Sequence, residues 1–227
     1  MLKEITYFNC PGQKVKHCKD MLYCRENGEE GFYSLADGVN SSNKSHVGAR
    51  AIQKALADFW EQQPNYFFET SNSEIRRSLI EIIQKVIYNL TKEQEKDDDF
   101  SSTLLVLCIS RRLNKYRWFH IGDGMIVKES EEDVLEILSH PQNGITKQFT
   151  FTTTSKNLER FLRIDEGSIY HVKRFMIFTD GAMKWFYKER KLTENGEEFL
   201  KKGMDVYFRI LQQLEPADDY SMLTIKL

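Results

Sequence analysis

At 227 residues the chain has room for one large domain or two small ones, and it is long enough to bury about 70–75% of its unfolded surface. With 41% hydrophobic and 29% charged residues it has a globular composition, and a net charge of −2 with dispersed basic residues gives no electrostatic reason to expect nucleic acid. No apolar run approaches the ~20 residues of a membrane span, Met1-Leu-Lys-Glu-Ile-Thr6 lacks the apolar stretch of a secretory signal, and Cys10, Cys18, Cys24 and Cys108 form no CxxC pair, which argues against zinc and for free thiols in a reducing cytosol.

In chain order, residues 3–9 read as a strand and Pro11-Gly12 as a turn. The runs 21–24 and 31–36 flank Asn27-Gly28 and are expected to form a hairpin ending at Asp37. Val47, Ala51, Ile52, Ala55, Leu56 and Phe59 recur at helical spacing and predict a helix over 46–61, with N-caps among Asn40 to Ser45. A second helix is expected over 74–92, capped by Ser73. The run 93–99 is a solvated charged stretch, followed directly by an apolar strand at 101–109 that suits the centre of a sheet. Arg111 to Lys115 reads as a turn, and strands follow at 116–121, 125–128 and 134–138. Residues 148–154 alternate like an edge strand, and 158–162 suit one helical turn. Strands are expected at 169–172 and 175–178, on either side of Lys173-Arg174. A long helix over 191–214, with a break at Asn195-Gly196, ends at Pro216 and leads into a strand at 221–227. Strands follow strands, with no alternating helices, so an α+β protein with largely antiparallel sheet is expected over a parallel one.

Three apolar runs end in Asp-Gly: at Asp37-Gly38, Asp123-Gly124 and Asp180-Gly181. A fourth acidic site, Asp218-Asp219, precedes the last strand. Singly, Asp-Gly is the preferred filling of a two-residue hairpin turn, and Asp218-Asp219 reads as an ordinary helix-to-strand loop. Asp37-Gly38 is harder to dismiss in this way, because a helix follows it. Together the four carboxylates suit a hard cation such as Mg²⁺ or Mn²⁺, which takes oxygen ligands gathered from distant strand ends. Two such ions bind phosphate and activate water. His17, His46, His120, His140 and His171 read as structural or solvated.

The motifs Phe32-Tyr-Ser-Leu-Ala-Asp37-Gly38, Gly48-Ala-Arg-Ala51, Phe100-Ser-Ser-Thr103, Gly122-Asp123-Gly124, Phe178-Thr-Asp180-Gly181 and Asp218-Asp219-Tyr-Ser-Met-Leu223 resemble, in this order, those of the metal-dependent PP2C-type (PPM) serine/threonine protein phosphatases. The resemblance spans about residues 12–227, and the spacing after Asp37 looks most like the compact bacterial branch. It implies a single phosphatase domain, 1–227, folded as an α-β-β-α sandwich of two antiparallel sheets flanked by helices. It further implies that Asp37, Asp180 and Asp218 are catalytic as metal ligands. Asp37 would bridge two Mg²⁺ or Mn²⁺ ions, and Gly38 would offer its carbonyl to the second. Asp180 and Asp218 would complete the first metal site, Asp123 would help hold a weaker third ion, and Asp20 would bind the water shell of the second. A metal-bridging hydroxide would attack phosphorus directly, without a phosphoenzyme. The implied partners are a phosphorylated protein and a cognate Ser/Thr kinase, in the cytoplasm, with no nucleic acid and no membrane.

The chain departs from this pattern at several positions. The family's Asn-Glu/Gln-Asp reads Cys18-Lys19-Asp20, which puts a cation next to the second metal. The expected phosphate-binding arginine is Val15, leaving Lys14, Lys16 and His17 as substitutes. Lys184 stands where some members carry a further aspartate, Val39 where animal members carry a histidine acid, and Asn40 where a glycine is usual. These departures motivate a second reading, a catalytically weak relative that binds a phosphoprotein or partner. A metal-dependent nuclease is disfavoured, because no basic stripe is visible.

Overall fold

The computed structural model describes residues 4–15, 17–91, 96–142 and 150–227. In chain order the elements are β1 (Glu4–Cys10), β2 (Met21–Asn27), β3 (Glu30–Ala36), α1 (Ser45–Gln62), α2 (Tyr66–Glu69) and α3 (Asn72–Leu90). After a short 3-10 helix at Asp97–Phe100 come β4 (Leu104–Ser110), β5 (Lys115–Ile121), β6 (Met125–Ser130), β7 (Leu135–Ser139), α4 (Leu158–Phe161), β8 (Arg163–Ser168) and β9 (Val172–Phe178). The chain ends with α5 (Asp180–Met183), β10 (Tyr187–Lys188), β11 (Lys191–Leu192), α6 (Glu194–Lys202), α7 (Met204–Leu214) and β12 (Tyr220–Lys226). This is the expected α+β class, with two five-stranded sheets in which every paired strand is antiparallel. No helix among the described residues is long and apolar enough to cross a membrane.

Two compact units interleave along the chain. The first comprises Met21–Gly122 and Gln142–Tyr170 and holds the sheet β2-β3-β4-β5-β8. β2 and β3 form the expected hairpin, with Gly28 at φ 62° in its turn. β4 is buried along its whole length, as an apolar central strand must be. α1 and α3 pack on this sheet around Phe32, Ile52, Trp60, Phe67 and Phe119. The buried face of α1 is Ser45, Gly48, Ile52, Gln53, Leu56 and Trp60, which leaves Val47 exposed. Gln53 is tolerated inside because its Nε2 donates to the Met21 carbonyl (2.9 Å) and the Ser34 hydroxyl (3.1 Å). Lys44, not one of the nearby Ser or Asn residues, is the N-cap of α1 and makes no side-chain cap bond. α3 is capped by Ser71, whose hydroxyl accepts from the Glu74 N–H, and not by Ser73.

His120 is fully buried in this unit, and its Nδ1 accepts from the Arg163 guanidinium at 2.8 Å. Arginine has no acceptor role, so the ring is neutral with its proton on Nε2. Burial, reinforced by the Arg163 charge, holds the His120 pKa well below its usual 6.5. The unfolded chain therefore takes up a proton below about pH 6.5 that the folded chain refuses. Stability is complete above that pH and falls below it, by up to about 1.4 kcal/mol per pH unit for one such group. Urea unfolding at pH 8 and pH 5 should show this loss, and His120→Gln should flatten it.

The second unit comprises the described residues of Leu2–Asp20, with Asp123–Pro141 and His171–Leu227. Its sheet is β1-β12-β9-β6-β7, packed by α5, α6 and α7 around Phe8, Phe178, Phe186, Tyr207 and Met222. Five expectations are corrected here and in the first unit. Ile169–His171 is a connection, not a strand, with His171 at φ 58°, and β8 precedes it. β9 runs straight through Lys173-Arg174 because Arg174 is buried, bonded to Glu129 and to the Leu200 carbonyl (2.7 Å). The long C-terminal helix is two helices broken at Gly203 (φ 107°), while Asn195-Gly196 lies inside α6, where the Gly196 N–H is capped by Thr193. No described residue of 150–154 belongs to a strand: Thr153 and Thr154 form a turn, and Gln148 and Phe149 lie outside the described residues. β4 begins at Leu104, so Ser101–Thr103 precede the strand.

Candidate metal centre

The three Asp-Gly pairs are not hairpin turns. Asp37 follows β3 and leads toward α1. Asp123-Gly124 joins β5 of one sheet to β6 of the other, and Asp180-Gly181 opens α5 directly after β9.

In the second unit, Asp180 is the focus. Its Oδ1 is buried and has no hydrogen-bond partner among the described residues. Burial, then the charges of Asp123 and Asp218, push its carboxyl up to about 7, with Lys184 acting in the opposite sense. Asp123, Asp180 and Asp218 are thus brought into one electrostatic cluster. α5 is anchored beneath it by the Tyr207 hydroxyl, which donates to the Ala182 carbonyl at 2.7 Å. Close backbone approach completes the arrangement. A Cβ on Gly181 would collide with the Asp219 carbonyl, and one on Gly12 with the Asp218 backbone.

Asp219 holds the loop between β1 and β2. Its Oδ1 accepts the Gly12 N–H (3.1 Å) and its Oδ2 the Lys19 N–H (2.7 Å). This carboxylate has a structural part that reasoning from sequence did not give it. Asp218, its half-buried neighbour, accepts the Asp219 N–H through Oδ1 (3.0 Å). Asp20 is fully buried; its Oδ2 accepts from the Thr179 hydroxyl (3.0 Å) and its carbonyl from Asn9 Nδ2 (2.9 Å). Thr179 immediately precedes Asp180, so Asp20 helps set the start of α5. Lys14 and His17 are exposed in the clamped loop, and Lys16 lies outside the described residues.

In the first unit, the Asp37 N–H donates to Thr103 Oγ1 (2.8 Å) and the Asp37 carbonyl accepts the Thr103 N–H (2.8 Å). Gly38 makes an antiparallel bridge with Ser102, and the Val39 N–H reaches the Ser101 carbonyl (3.1 Å). The Ser-Ser-Thr motif therefore splints the chain on both sides of Asp37.

The donor chemistry in the second unit fits a hard divalent cation. A buried carboxylate oxygen that has no hydrogen bond among the described residues and is repelled by two further carboxylates is unfavourable until a cation joins it. No group of three or more His, Cys, Asp or Glu side chains among the described residues is arranged to hold a metal as it stands. Magnesium needs less than that, since it commonly keeps several waters and takes one or two carboxylates.

The sequence pattern of the Protein phosphatase 2C family matches residues 13–216. Among solved structures the fold is similar to a bacterial serine phosphatase, at TM-score 0.73 and 14% identity over 98% of this chain and 97% of the other. Serine/threonine phosphatase Stp1 from Staphylococcus aureus gives TM-score 0.73 and 13% identity over 100% and 95%. RsbX, in a complex with magnesium, gives TM-score 0.65 and 14% identity over 98% and 94%. No curated protein matches by sequence.

Proposed function

The chain belongs to the protein phosphatase 2C family, and from that premise we propose that it hydrolyses phosphoserine and phosphothreonine in proteins with the help of Mg²⁺ or Mn²⁺. Residues 1–227 act as one phosphatase domain, since the family pattern runs through both units. The observation that carries the reading is the buried Asp180 oxygen, without a hydrogen bond among the described residues, beside Asp123 and Asp218.

Asp180 and Asp218 would hold the first cation with Asp37. Asp37 and the Gly38 carbonyl would reach a second, and Asp123 would serve a weaker third beside Asp180. Bound divalent cations supply water activated near neutral pH and charge neutralisation on the phosphoryl oxygens. The protein's own part is positional. The Thr103 splint fixes Asp37 at the end of β3, Asp20 and Thr179 set the start of α5, and Asp219 fixes the loop that carries Lys14 and His17 for contact with phosphate. Water is the nucleophile, so no phosphoenzyme forms. With Val39 where a histidine acid stands in animal members, the leaving alkoxide takes its proton from water. A substrate of this class is made by a Ser/Thr kinase, and the bacterial phosphatases that share the fold support placing the pair in bacterial cytoplasmic signalling.

Lys19 is the departure with the clearest consequence. Asp219 fixes its backbone at the loop position where the family carries a metal-supporting acid or amide, and a cation there would oppose the second metal by like-charge repulsion. Calorimetric titration with Mn²⁺ should show two sites, the second weaker, and Lys19→Gln should tighten the weaker one about tenfold. A single site or none, with no hydrolysis of a phosphomonoester, would instead identify a phosphoprotein-binding relative.

A further inference from the structure

Directly after α5 the chain carries Lys184 and Trp185, then the β10–β11 hairpin. Two features of this hairpin oppose its own stability. Lys188 and Lys191 stand directly opposite each other in register, and like charges at that spacing repel. The turn between them is Glu189-Arg190, with both residues at positive φ, 51° and 61°. Asn-Gly fills such a turn with far less strain. The first feature keeps two cations facing each other, and the second keeps Arg190, beside Glu189, in a turn that other residues would fill better. Lys184, Lys188, Arg190 and Lys191 are all exposed, and none takes part in an ion pair among the described residues. The chain as a whole carries a net charge of −2, so this local surplus runs against the protein's own balance.

An aromatic surface accompanies the charge. Trp185 is 43% exposed, whereas Trp60 and Trp118 are at most 6% exposed. The patch also starts at the carboxylate cluster, because the Lys184 N–H donates to the Asp180 carbonyl (2.9 Å) and Trp185 is the next residue.

We propose that Trp185 and the β10–β11 hairpin form a docking surface for an acidic segment of the protein substrate, flanking its phosphorylated residue. The inference rests on the phosphatase reading above. A carboxylate between Lys188 and Lys191 relieves their repulsion, Arg190 offers a bidentate fork to a second, and the indole covers the apolar part of the peptide. The surface selects among phosphoproteins and takes no part in the chemistry.

The test uses three substrates with Mn²⁺: p-nitrophenyl phosphate, a phosphothreonine peptide flanked by glutamates, and the same peptide flanked by glutamines. The variant is Lys188→Gln/Lys191→Gln, which removes a like-charge pair and so does not endanger folding. For the glutamate peptide, KM should rise about tenfold in the variant. Its kcat, the glutamine peptide and p-nitrophenyl phosphate should be unaffected, and the difference between peptides should shrink at high salt. Trp185→Ala should weaken both peptides and spare p-nitrophenyl phosphate. Equal KM for the two peptides in the wild type would overturn the proposal, as would an equal effect of the variant on all three substrates. Fluorescence anisotropy with the labelled peptides reads the same preference without turnover. Tighter binding of the glutamate peptide, lost in the variant, supports the surface; equal binding, or binding only to anionic vesicles, overturns it. Absence of p-nitrophenyl phosphate hydrolysis counts against the phosphatase reading alone.

Discussion

Asp180→Asn should lower Mn²⁺-dependent phosphate release by about 10²–10³-fold and at the same time make the metal-free protein more stable. The two effects share one cause. Asp180 places a buried oxygen, without a hydrogen bond among the described residues, next to Asp123 and Asp218. Without a cation this costs stability, on the order of 4 kcal/mol at neutral pH for a carboxylate raised from 3.8 to about 7. Asparagine removes the charge at nearly constant shape, so thermal unfolding of the metal-free variant should come about 10 °C higher than wild type. Millimolar Mn²⁺ should reverse that order, because ligand binding to the folded state adds stability only where the site can take the ion. A variant less stable than wild type without metal would mean that Asp180 is satisfied by the protein itself, and that the cluster is not built for a cation.

Asp219→Ala is expected to be the most destabilising single change near the site. It leaves the Gly12 and Lys19 N–H groups without their acceptor and frees the loop that joins β1 to β2. Hydrogen bonds to a charged group are worth about 1.5–3 kcal/mol each, so a loss of about 3–5 kcal/mol is expected in urea unfolding. Asp219→Asn keeps an acceptor and should recover part of it. Activity should fall with Asp219→Ala even well below its unfolding midpoint, since Asp20 and Lys19 share the freed loop. Near-wild-type stability would show that the loop is held by other contacts.

Much of this was legible in the sequence because it is encoded locally. Asn27-Gly28 announced the β2–β3 hairpin, and the helical spacing located α1 and α3 to within two residues at each end. The class followed from strands succeeding strands. What was misread depended on contacts that the hydrophobic pattern does not carry, most of them with partners distant in sequence. Lys173-Arg174 looked like an interruption of β9 because nothing nearby in sequence reveals that Glu129 neutralises Arg174 inside the core. Asn195-Gly196 looked like a helix break, but the Thr193 cap makes Gly196 an ordinary first-turn residue, and Gly203 breaks the helix instead. Val47 fitted the apolar stripe of α1, yet small residues are buried in its place, and Gly48 lies so close to Phe100 that a Cβ would collide with its carbonyl.

The site divides along the same line. The apolar-run-plus-Asp-Gly endings are visible as text, and so is their order. The division of labour between Asp218 and Asp219 is not, because two adjacent aspartates are distinguished only by what they face. Asp219 faces two backbone N–H groups, while Asp218 acts on Asp180. Asp20, expected to serve a metal's water shell, accepts the Thr179 hydroxyl at Oδ2, which ties it also to the geometry of α5. Of the facing lysines of the β10–β11 hairpin, Lys191 fell within the segment read as helix, where opposition across a turn has no meaning, and Trp185 and Lys188 fell in a stretch given no element.

The most direct measurement is phosphate release from a phosphothreonine peptide by the purified chain, with Mn²⁺ and after chelation, beside Asp37→Asn and Asp180→Asn. The account predicts turnover that requires Mn²⁺ and falls at least about 10²-fold with either substitution in folded protein. Turnover that survives chelation, or no turnover with Mn²⁺ or Mg²⁺ in protein shown to be folded, would contradict it.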